Sequence, residues 1–252
     1  MKTTTLLVLG ILLLLCLAAC AGSENDNLDK IPPIPPVMVP HLGDTGDDPA
    51  VWNNLTLILN EENNGIDAVP DGDWIRVQWD PFKDSDLSHV KIWRFSDFQP
   101  EPVMVDSISA SAKYYLDVDS DLTERVWYHY FIDLVDLAGN SSRSDTSSYA
   151  LLSKSMLVYP QNNATIPHTN AEFKWDSTGI ASKYRLMIFD ENNNHLYHED
   201  LYAAMDSLYI KLPVNLGITN SSVLWRVDSF DWDQEKLMYM GSESHQRVVH
   251  IQ

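Results

Sequence analysis

Three aspartates at alternate positions, Asp117, Asp119 and Asp121, are the first residues of this sequence whose spacing suggests chemistry. Oxygen ligands at alternate positions open the calcium loop of an EF-hand, which then needs a glycine at its sharp turn and a bidentate glutamate at its end. Leu122 and Tyr128 stand at those two places, so we do not predict an EF-hand. We interpret the aspartates as a turn between two strands and keep a calcium site of another kind as the alternative. That alternative extends to a second acidic group, which comprises Asp44, Asp47 and Asp48.

A second group with chemical potential is the pair His195 and His198, which Glu199 and Asp200 follow directly. Residues i and i+3 of a strand face opposite sides of its sheet, so a solvated hairpin is the favoured interpretation. The sequence lacks a Gly-x-Ser-x-Gly elbow, a His-Glu-x-x-His pair and a phosphate-binding glycine loop. We predict no catalytic residues, no resident metal, no cofactor and hence no enzyme. A hydrolase that uses a pair of carboxylates is the least favoured alternative.

The charge balance narrows the classes of partner. Acidic residues number 36 and basic residues 17, which gives a formal net charge of −19. Binding to phosphates requires a cationic surface, so we predict no nucleic-acid partner. Hydrophobic residues make up 44% of the chain, which is ordinary for a globular protein and predicts packed cores.

The N-terminus carries a targeting segment. Lys2 precedes an apolar run over residues 6–17, which is the pattern of a secretory signal peptide and is shorter than the roughly 20 residues that cross a bilayer. The run ends in a four-residue motif, Leu17-Ala18-Ala19-Cys20. This motif resembles the lipobox of bacterial lipoproteins, and the resemblance implies that residues 1–19 are removed and that Cys20 is acylated, with chains such as palmitate. Ordinary cleavage just before Cys20 or after Gly22 is the alternative.

Lipidation of Cys20 has consequences for stability and location. Cys16 leaves with the signal peptide and Cys20 is blocked, so disulfides, thiolate catalysis and cysteine-bound zinc are excluded. Several acyl chains on one cysteine attach a protein lastingly to a membrane. Ala21 is not the aspartate of inner-membrane retention in lipoproteins of enteric type, so the resemblance implies a bacterial cell envelope, with the outer membrane favoured. Residues 20–48, with their run of prolines, are predicted to be a flexible linker.

Strand patterns dominate the rest of the chain. Ile75, Val77 and Trp79 are apolar while Arg76 and Gln78 between them are polar, which is typical of a strand with one buried face. Similar short runs recur between turn residues, and a first strand is expected at residues 55–59. No stretch sustains a helical period over three turns. We therefore predict an all-β protein.

The order of the motifs in residues 49–153 carries a family resemblance. The motifs are Trp79-Asp80-Pro81, Asp84-x-Asp86-Leu87, Val90-x-Ile92-x-Arg94, Tyr115-x-Asp117, Tyr128-x-Tyr130-x-Ile132 and Asp136-x-x-Gly139-Asn140. Together they resemble a fibronectin type III domain, an immunoglobulin-like β-sandwich. The resemblance implies that Trp79 is buried in strand B and that the Tyr128 hydroxyl bonds to the backbone near the connection between strands E and F. Residues 60–73 depart from the family pattern as an insertion.

A second copy follows at residues 154–252 with lower fidelity. Phe173-x-Trp175 repeats Val77-x-Trp79, but Val223 stands where the corner tyrosine belongs. The second domain is therefore expected to be only fibronectin-like. The predicted fold is two tandem β-sandwiches after a lipoprotein signal peptide and a proline-rich linker.

Side-chain alternation also predicts a candidate binding patch. If Val90 and Tyr130 point inward, the outer face of one sheet carries four aromatic side chains. These are Trp93, Phe95, Trp127 and Phe131. Exposed aromatic patches mark contact surfaces for proteins or sugars. The alternative is that the second domain, the insertion or arginine side chains cover the patch. Trp232, expected in a loop of the second domain, is a lesser candidate.

The predicted function is recognition without catalysis. We expect an exported protein that reaches the membrane through its N-terminal acyl chains and presents two sandwiches to a protein or a glycan. Two alternatives stay open. One is carbohydrate capture for a polysaccharide-processing system, and the other is a structural spacer in an envelope complex.

Overall fold

The computed structural model describes residues 29–39, 74–176, 181–202 and 208–252. In these ranges the regular structure consists of β-strands and two 3-10 turns, His168–Asn170 and Val214–Leu216. No helix in this part of the chain is long and apolar enough to cross a bilayer. The prediction of an all-β protein is confirmed. Several predictions fall outside the described residues: the signal peptide, Cys20, the strand at 55–59, the insertion at 60–73, and Asp44, Asp47 and Asp48.

Seven strands build the first sandwich. They are β1 (Ile75–Gln78), β2 (Leu87–Ser96), β3 (Val103–Ser109), β4 (Tyr114–Asp117), β5 (Trp127–Asp136), β6 (Ser141–Arg143) and β7 (Ser147–Ala150). One sheet pairs β1 with β4, and the other has the order β3-β2-β5-β6, with β7 also pairing with β5. The inward residues of β1 and β2 are buried between the sheets, as their period-2 pattern predicts.

Residues 29–39 lie along the first sandwich. The Val39 amide donates to the Gln78 carbonyl at 2.9 Å, and Met38 forms a bridge with Trp79. Met38 is buried in the same core as that tryptophan. This part of the predicted linker is therefore packed against the domain rather than free of it, because it satisfies the open edge of β1 and adds apolar surface to the core.

Nine strands build the second sandwich. They are β8 (Met156–Tyr159), β9 (Ala164–Ile166), β10 (Glu172–Asp176), β11 (Lys183–Phe189), β12 (His195–Tyr202), β13 (Tyr209–Lys211), β14 (Ser221–Asp233), β15 (Met238–Glu243) and β16 (Arg247–Ile251). One sheet has the order β13-β10-β8, and the other β12-β11-β14-β16-β9, with β15 also pairing with β14. The repeated strand order makes this domain a second fibronectin type III-like sandwich, with strands A, B and E facing strands C, F and G.

A tryptophan is buried in the core of each sandwich. Trp79 and Trp175 are both 2% exposed. The Trp79 indole donates to the Ala112 carbonyl at 3.1 Å. Each tryptophan packs in a separate hydrophobic cluster, so each sandwich has its own core, as the internal repeat predicts.

Candidate functional site

The predicted aromatic patch lies on the outer face of the β3-β2-β5-β6 sheet. Trp93 stands opposite Phe131, and their rings stack with centroids 5.9 Å apart and planes at 14°. Phe95 stands opposite His129 and stacks on it at 4.7 Å. The outward side chains of β2 and β5 thus form an aromatic ladder along the two strands.

Much of this ladder is covered. Phe131 is only 5% exposed, since the Arg143 guanidinium lies 4.0 Å from its ring centroid and is held there by Asp133 at 2.8 Å. Trp127 is only 3% exposed and packs against the second sandwich. The expectation of exposure is therefore wrong for Phe131 and Trp127, while Trp93 and Phe95 are half-buried. Alternation identifies the face of a side chain but not what lies over it.

Trp127 belongs to the junction between the two sandwiches. Its ring packs with Ala150, Leu152 and Met240, and its Nε1 donates to the Asp233 carboxylate at 2.7 Å. Burial alone would raise the pKa of Asp233, but the hydrogen bond from Trp127 and backbone hydrogen bonds outweigh burial and lower this pKa. An aromatic side chain predicted to bind a partner instead binds the neighbouring domain.

Further contacts fix the same junction. The Leu152 amide donates to the Gly241 carbonyl at 3.1 Å, so the chain leaving β7 runs alongside β15. Arg125 pairs with Asp231 at 2.5 Å. Lys236 pairs with Asp97 at 2.8 Å, which ties the β2–β3 connection to the second domain. Main-chain, apolar and ionic contacts therefore act together across the boundary.

A groove opens beside this junction, at the end of the first sandwich. Its volume is about 400 Å³. Buried Tyr128 forms part of its floor, and the half-buried ring of Phe95 lines one side. The two connections β2–β3 and β4–β5 supply the rim, with Phe98, Gln99 and Asp121. Phe98 is 83% exposed. Sequence alternation did not identify this concavity, because loops from two distant segments form it.

Tyr128 fixes the β4–β5 side of the groove. Its hydroxyl accepts a hydrogen bond from the Thr123 amide at 2.8 Å and donates to the Asp121 carbonyl at 3.2 Å. The corner tyrosine implied by the family resemblance is confirmed. Tyr128 thus holds the Asp121 backbone at the rim of the groove.

Two of the three alternating aspartates beside this connection bind a protein cation. Arg94 pairs with Asp117 at 2.6 Å and with Asp119 at 2.9 Å. Tyr130 donates its hydroxyl to Asp117 at 2.7 Å, and burial together with that carboxylate raises the pKa of Tyr130. The favoured interpretation of these residues as an ordered turn agrees with these contacts, which engage carboxylate oxygens of Asp117 and Asp119.

The structure brings together three other carboxylates that the sequence did not group. Oxygens of Asp29, Asp86 and Asp136 lie within 4.8 Å of one another. Both Asp136 oxygens accept hydrogen bonds from Asn140, each at 2.8 Å. The cluster therefore has a structural role in the turn after β5, and we assign no metal to it.

The histidine pair is closer than a regular strand would allow. The rings of His195 and His198 lie 5.3 Å apart. The pairing of β11 with β12 shifts register between Ile188 and Phe189, and this irregularity brings positions i and i+3 together. Burial, with His198 and Arg185 nearby, lowers the pKa of His195 to about 4, so the ring is neutral at neutral pH.

Trp232 lies in a strand rather than a loop. It belongs to the end of β14 and stands opposite Tyr239 of β15, with ring centroids 4.8 Å apart. The prediction that it occupies a loop is wrong, because β14 and β15 extend as a long hairpin beyond the core. Its half-buried ring stabilises that hairpin.

The comparisons with known proteins concern the fold. No protein-family model matches the chain, and no curated protein matches it. Among solved structures, it is similar to the FN1–FN3 domains of chicken CNTN1, with 11% identity, a TM-score of 0.32 and coverage of 71% of this chain. It is also similar to a segment of two fibronectin type III domains from chicken tenascin, with 10% identity, a TM-score of 0.29 and coverage of 72% of this chain and 93% of that one.

The chain spans 62% of the length of the CNTN1 fragment. The assignment of two fibronectin type III-like sandwiches rests on the strand order and the two cores described above.

Proposed function

We propose that this protein is a non-enzymatic lipoprotein of the bacterial cell envelope that presents two sandwiches, joined as one body, for contact with a protein or a glycan. Its anchor in this proposal is the acylated Cys20, and Ala21 after it favours the outer membrane. The observation that carries the presenting role is the junction centred on Trp127.

The junction supports this role because it combines contacts that resist different motions. Domains joined by a small interface normally move relative to each other. Here the apolar packing of Trp127 opposes separation, while the Leu152–Gly241 backbone hydrogen bond and the Lys236–Asp97 pair oppose twisting. A fixed pair of modules holds the surfaces of the two sandwiches at a defined distance and orientation from each other.

The anchor is tested by Cys20→Ser. In cells fed a labelled fatty acid, the wild-type protein should carry label and sediment with membranes, whereas the variant should lose both, because the thiol is the attachment atom. Matched Cys16→Ser should keep both, since that residue leaves with the signal peptide. Persistent label on Cys20→Ser would contradict the proposed anchor.

The fixed junction is tested by Trp127→Ala. Spin labels placed on exposed positions of the two sandwiches should give one narrow distance distribution in the wild type and a broad one in this variant. Trp93→Ala is the matched control, because the Trp93 ring belongs to the same ladder but stacks on Phe131 of the first sandwich. A broad distribution already in the wild type would remove the basis for the presenting role.

The same junction favours a second candidate function, a structural spacer in an envelope complex. Crosslinking in intact cells should then give one reproducible protein partner, and Trp127→Ala should disrupt that assembly without releasing the protein from the membrane. Crosslinking that gives no such partner would count against the spacer and leave the recognition role in place.

A further inference from the structure

The groove of the first sandwich has the size of a small-ligand site. Its volume of about 400 Å³ lies within the range of roughly 300–1,000 Å³ that such sites have. Aromatic and aliphatic side chains make up about half of its lining, and polar or charged side chains make up the other half. Phe98 is 83% exposed, which leaves a face of its ring available to a ligand in the groove.

The charges around the groove exclude an anionic ligand. Arg94 is the cation at its inner end, and its guanidinium already pairs with Asp117 and Asp119. Asp121 adds another carboxylate at the rim. The local balance is therefore negative, in a protein whose net charge is −19. A phosphate or carboxylate ligand would meet repulsion without a free cation to offset it.

The available polar groups suit hydroxyl groups. Among the described residues, the Gln99 side-chain amide and the Asp121 carboxylate make no hydrogen bond to the protein. The amide both donates and accepts, and the carboxylate accepts. A sugar ring presents hydroxyls that do both around its edge and a face of C–H groups that packs on an aromatic ring.

The rim is also held in place before any ligand arrives. Ser96 and Gln99 exchange backbone hydrogen bonds at 2.9 and 3.1 Å, which closes the turn that carries Phe98. Asp97 in that turn pairs with Lys236 of the second sandwich. The Tyr128 hydroxyl fixes the opposite connection. Preorganised walls reduce the entropy that binding would otherwise cost.

We propose that this groove binds the end of a neutral oligosaccharide, with a sugar ring packed on Phe98 and its hydroxyls bonded to Gln99 and Asp121. This assignment rests on the proposed recognition function and names its ligand class. The glycan surface is thus the concave end of the first sandwich rather than the flat ladder on its outer face.

The test uses the full-length protein in lipid nanodiscs free of sugar detergents. Isothermal titration would measure binding of maltohexaose, cellohexaose and N-acetylglucosamine hexamer, with an oligogalacturonate, choline and tetralysine as charged probes. Phe98→Ala, Gln99→Ala and Asp121→Asn would be compared with Leu137→Ala. Leu137 is the matched control because it is also exposed and apolar but follows the far end of β5.

At least one neutral oligosaccharide should bind saturably. Phe98→Ala should weaken that binding about tenfold or more, as removal of a central aromatic contact does, without changing the melting temperature. Gln99→Ala and Asp121→Asn should weaken it less, and Leu137→Ala should leave it unchanged. Binding of none of the neutral sugars, preferential binding of a charged probe, or binding that survives Phe98→Ala would each overturn the proposal.

Failure here is distinguishable from failure of the proposed function. Suppose that no sugar binds, that Cys20→Ser still abolishes acylation and that the spin labels still give one narrow distance distribution. Only the proposed ligand class is then wrong. If sugar binds while Cys20→Ser remains labelled and membrane-bound, the proposed anchor falls and the groove assignment stands.

Discussion

Equivalent faces of the two sandwiches carry opposite chemistry. The outer face of β2 and β5 in the first carries a ladder of stacked aromatic rings. In the second, the same face of β11 and β14 carries charged side chains that are almost fully buried, including Lys183, Arg185, Arg226 and Asp228. The same strand order therefore supports both an aromatic face and a charged face, but the two faces need different contacts to be stable.

The requirement on the charged face is that every buried ion finds a counter-ion. Arg185 binds Asp200 through two hydrogen bonds of 2.6 and 2.8 Å. Arg226 pairs with Asp228 at 3.0 Å and with Glu243 at 3.2 Å. Removing charges from water costs several kcal/mol per ion, and only such close pairs offset that cost. The aromatic face needs no counter-ion and instead requires stacking and a covering arginine.

The largest expected effects come from the feature that the sandwiches share. Trp79→Ala and Trp175→Ala should each lower the free energy of unfolding by about 3–5 kcal/mol, because each leaves a cavity in a core. Trp79→Ala should cost more, since its indole also donates to Ala112, whereas the Trp175 indole has no acceptor among the described residues. Urea unfolding followed by fluorescence measures both. A small loss in either would mean that its core does not depend on the tryptophan.

The charged face should be more sensitive than the aromatic face to loss of an arginine. Arg226→Met should destabilise the second sandwich by about 3–5 kcal/mol, because it leaves two buried carboxylates without their cation. Arg143→Met in the first sandwich should cost about 1 kcal/mol or less, because the Arg143 side chain is largely exposed and solvent screens its pair with Asp133. Thermal unfolding of both variants makes the comparison. Equal losses would show that burial of the pair does not decide its contribution.

Loss of the corner tyrosine's hydroxyl should have a smaller effect on stability, and only in the first sandwich. Tyr128→Phe should lower the stability of the first sandwich by about 1 kcal/mol, since the Thr123 amide loses its acceptor. Hydrogen exchange at that amide should accelerate in the variant. The second sandwich has Val223 at this position and manages without the bond. Unchanged exchange at Thr123 would show that the hydroxyl does not hold the connection.

The last expected effect is a pH dependence of stability that arises on the charged face. Burial lowers the pKa of Lys183 to about 8 from its ordinary 10.5, although Asp200 partly opposes the shift. Between pH 8 and 10.5 the folded state therefore binds fewer protons than the unfolded state. Burial of this lysine destabilises the fold most below pH 8, and the destabilisation decreases as the pH rises from 8 to 10.5. Relative to Lys183→Met, the wild type should gain stability from pH 8 to 10.5 in urea unfolding. Parallel curves for the two proteins would contradict this.

The candidate site was predictable only in part. The outward placement of Trp93 and Phe95 followed from alternation with Val90 and Ile92, because a strand turns successive side chains to opposite faces. The groove beside them did not follow, because Phe98 and Asp121 come from different connections and only the closed sandwich brings them together. Aromatic and acidic residues in turns are common on protein surfaces, so the residue types alone do not indicate a groove.

The histidine pair and the N-terminal segment show the same limit. Regular strand geometry separates His195 from His198, and only the observed register shift brings their rings together. The prolines of residues 29–39 indicate an extended chain, which they form, but not the edge of β1 on which that chain lies. Local composition defines a conformation, whereas packing depends on partners elsewhere in the chain.

Alternation, turn residues and the repeated tryptophan motif determined from the amino-acid order alone that this is a β-protein with two similar cores. These are local properties, because the geometry of each strand depends on its own residues. Only the tertiary structure decided that Trp127 joins the domains, that Arg143 covers Phe131 and that Arg94 neutralises two aspartates. Those outcomes depend on distances between residues far apart in the chain, which no short pattern contains.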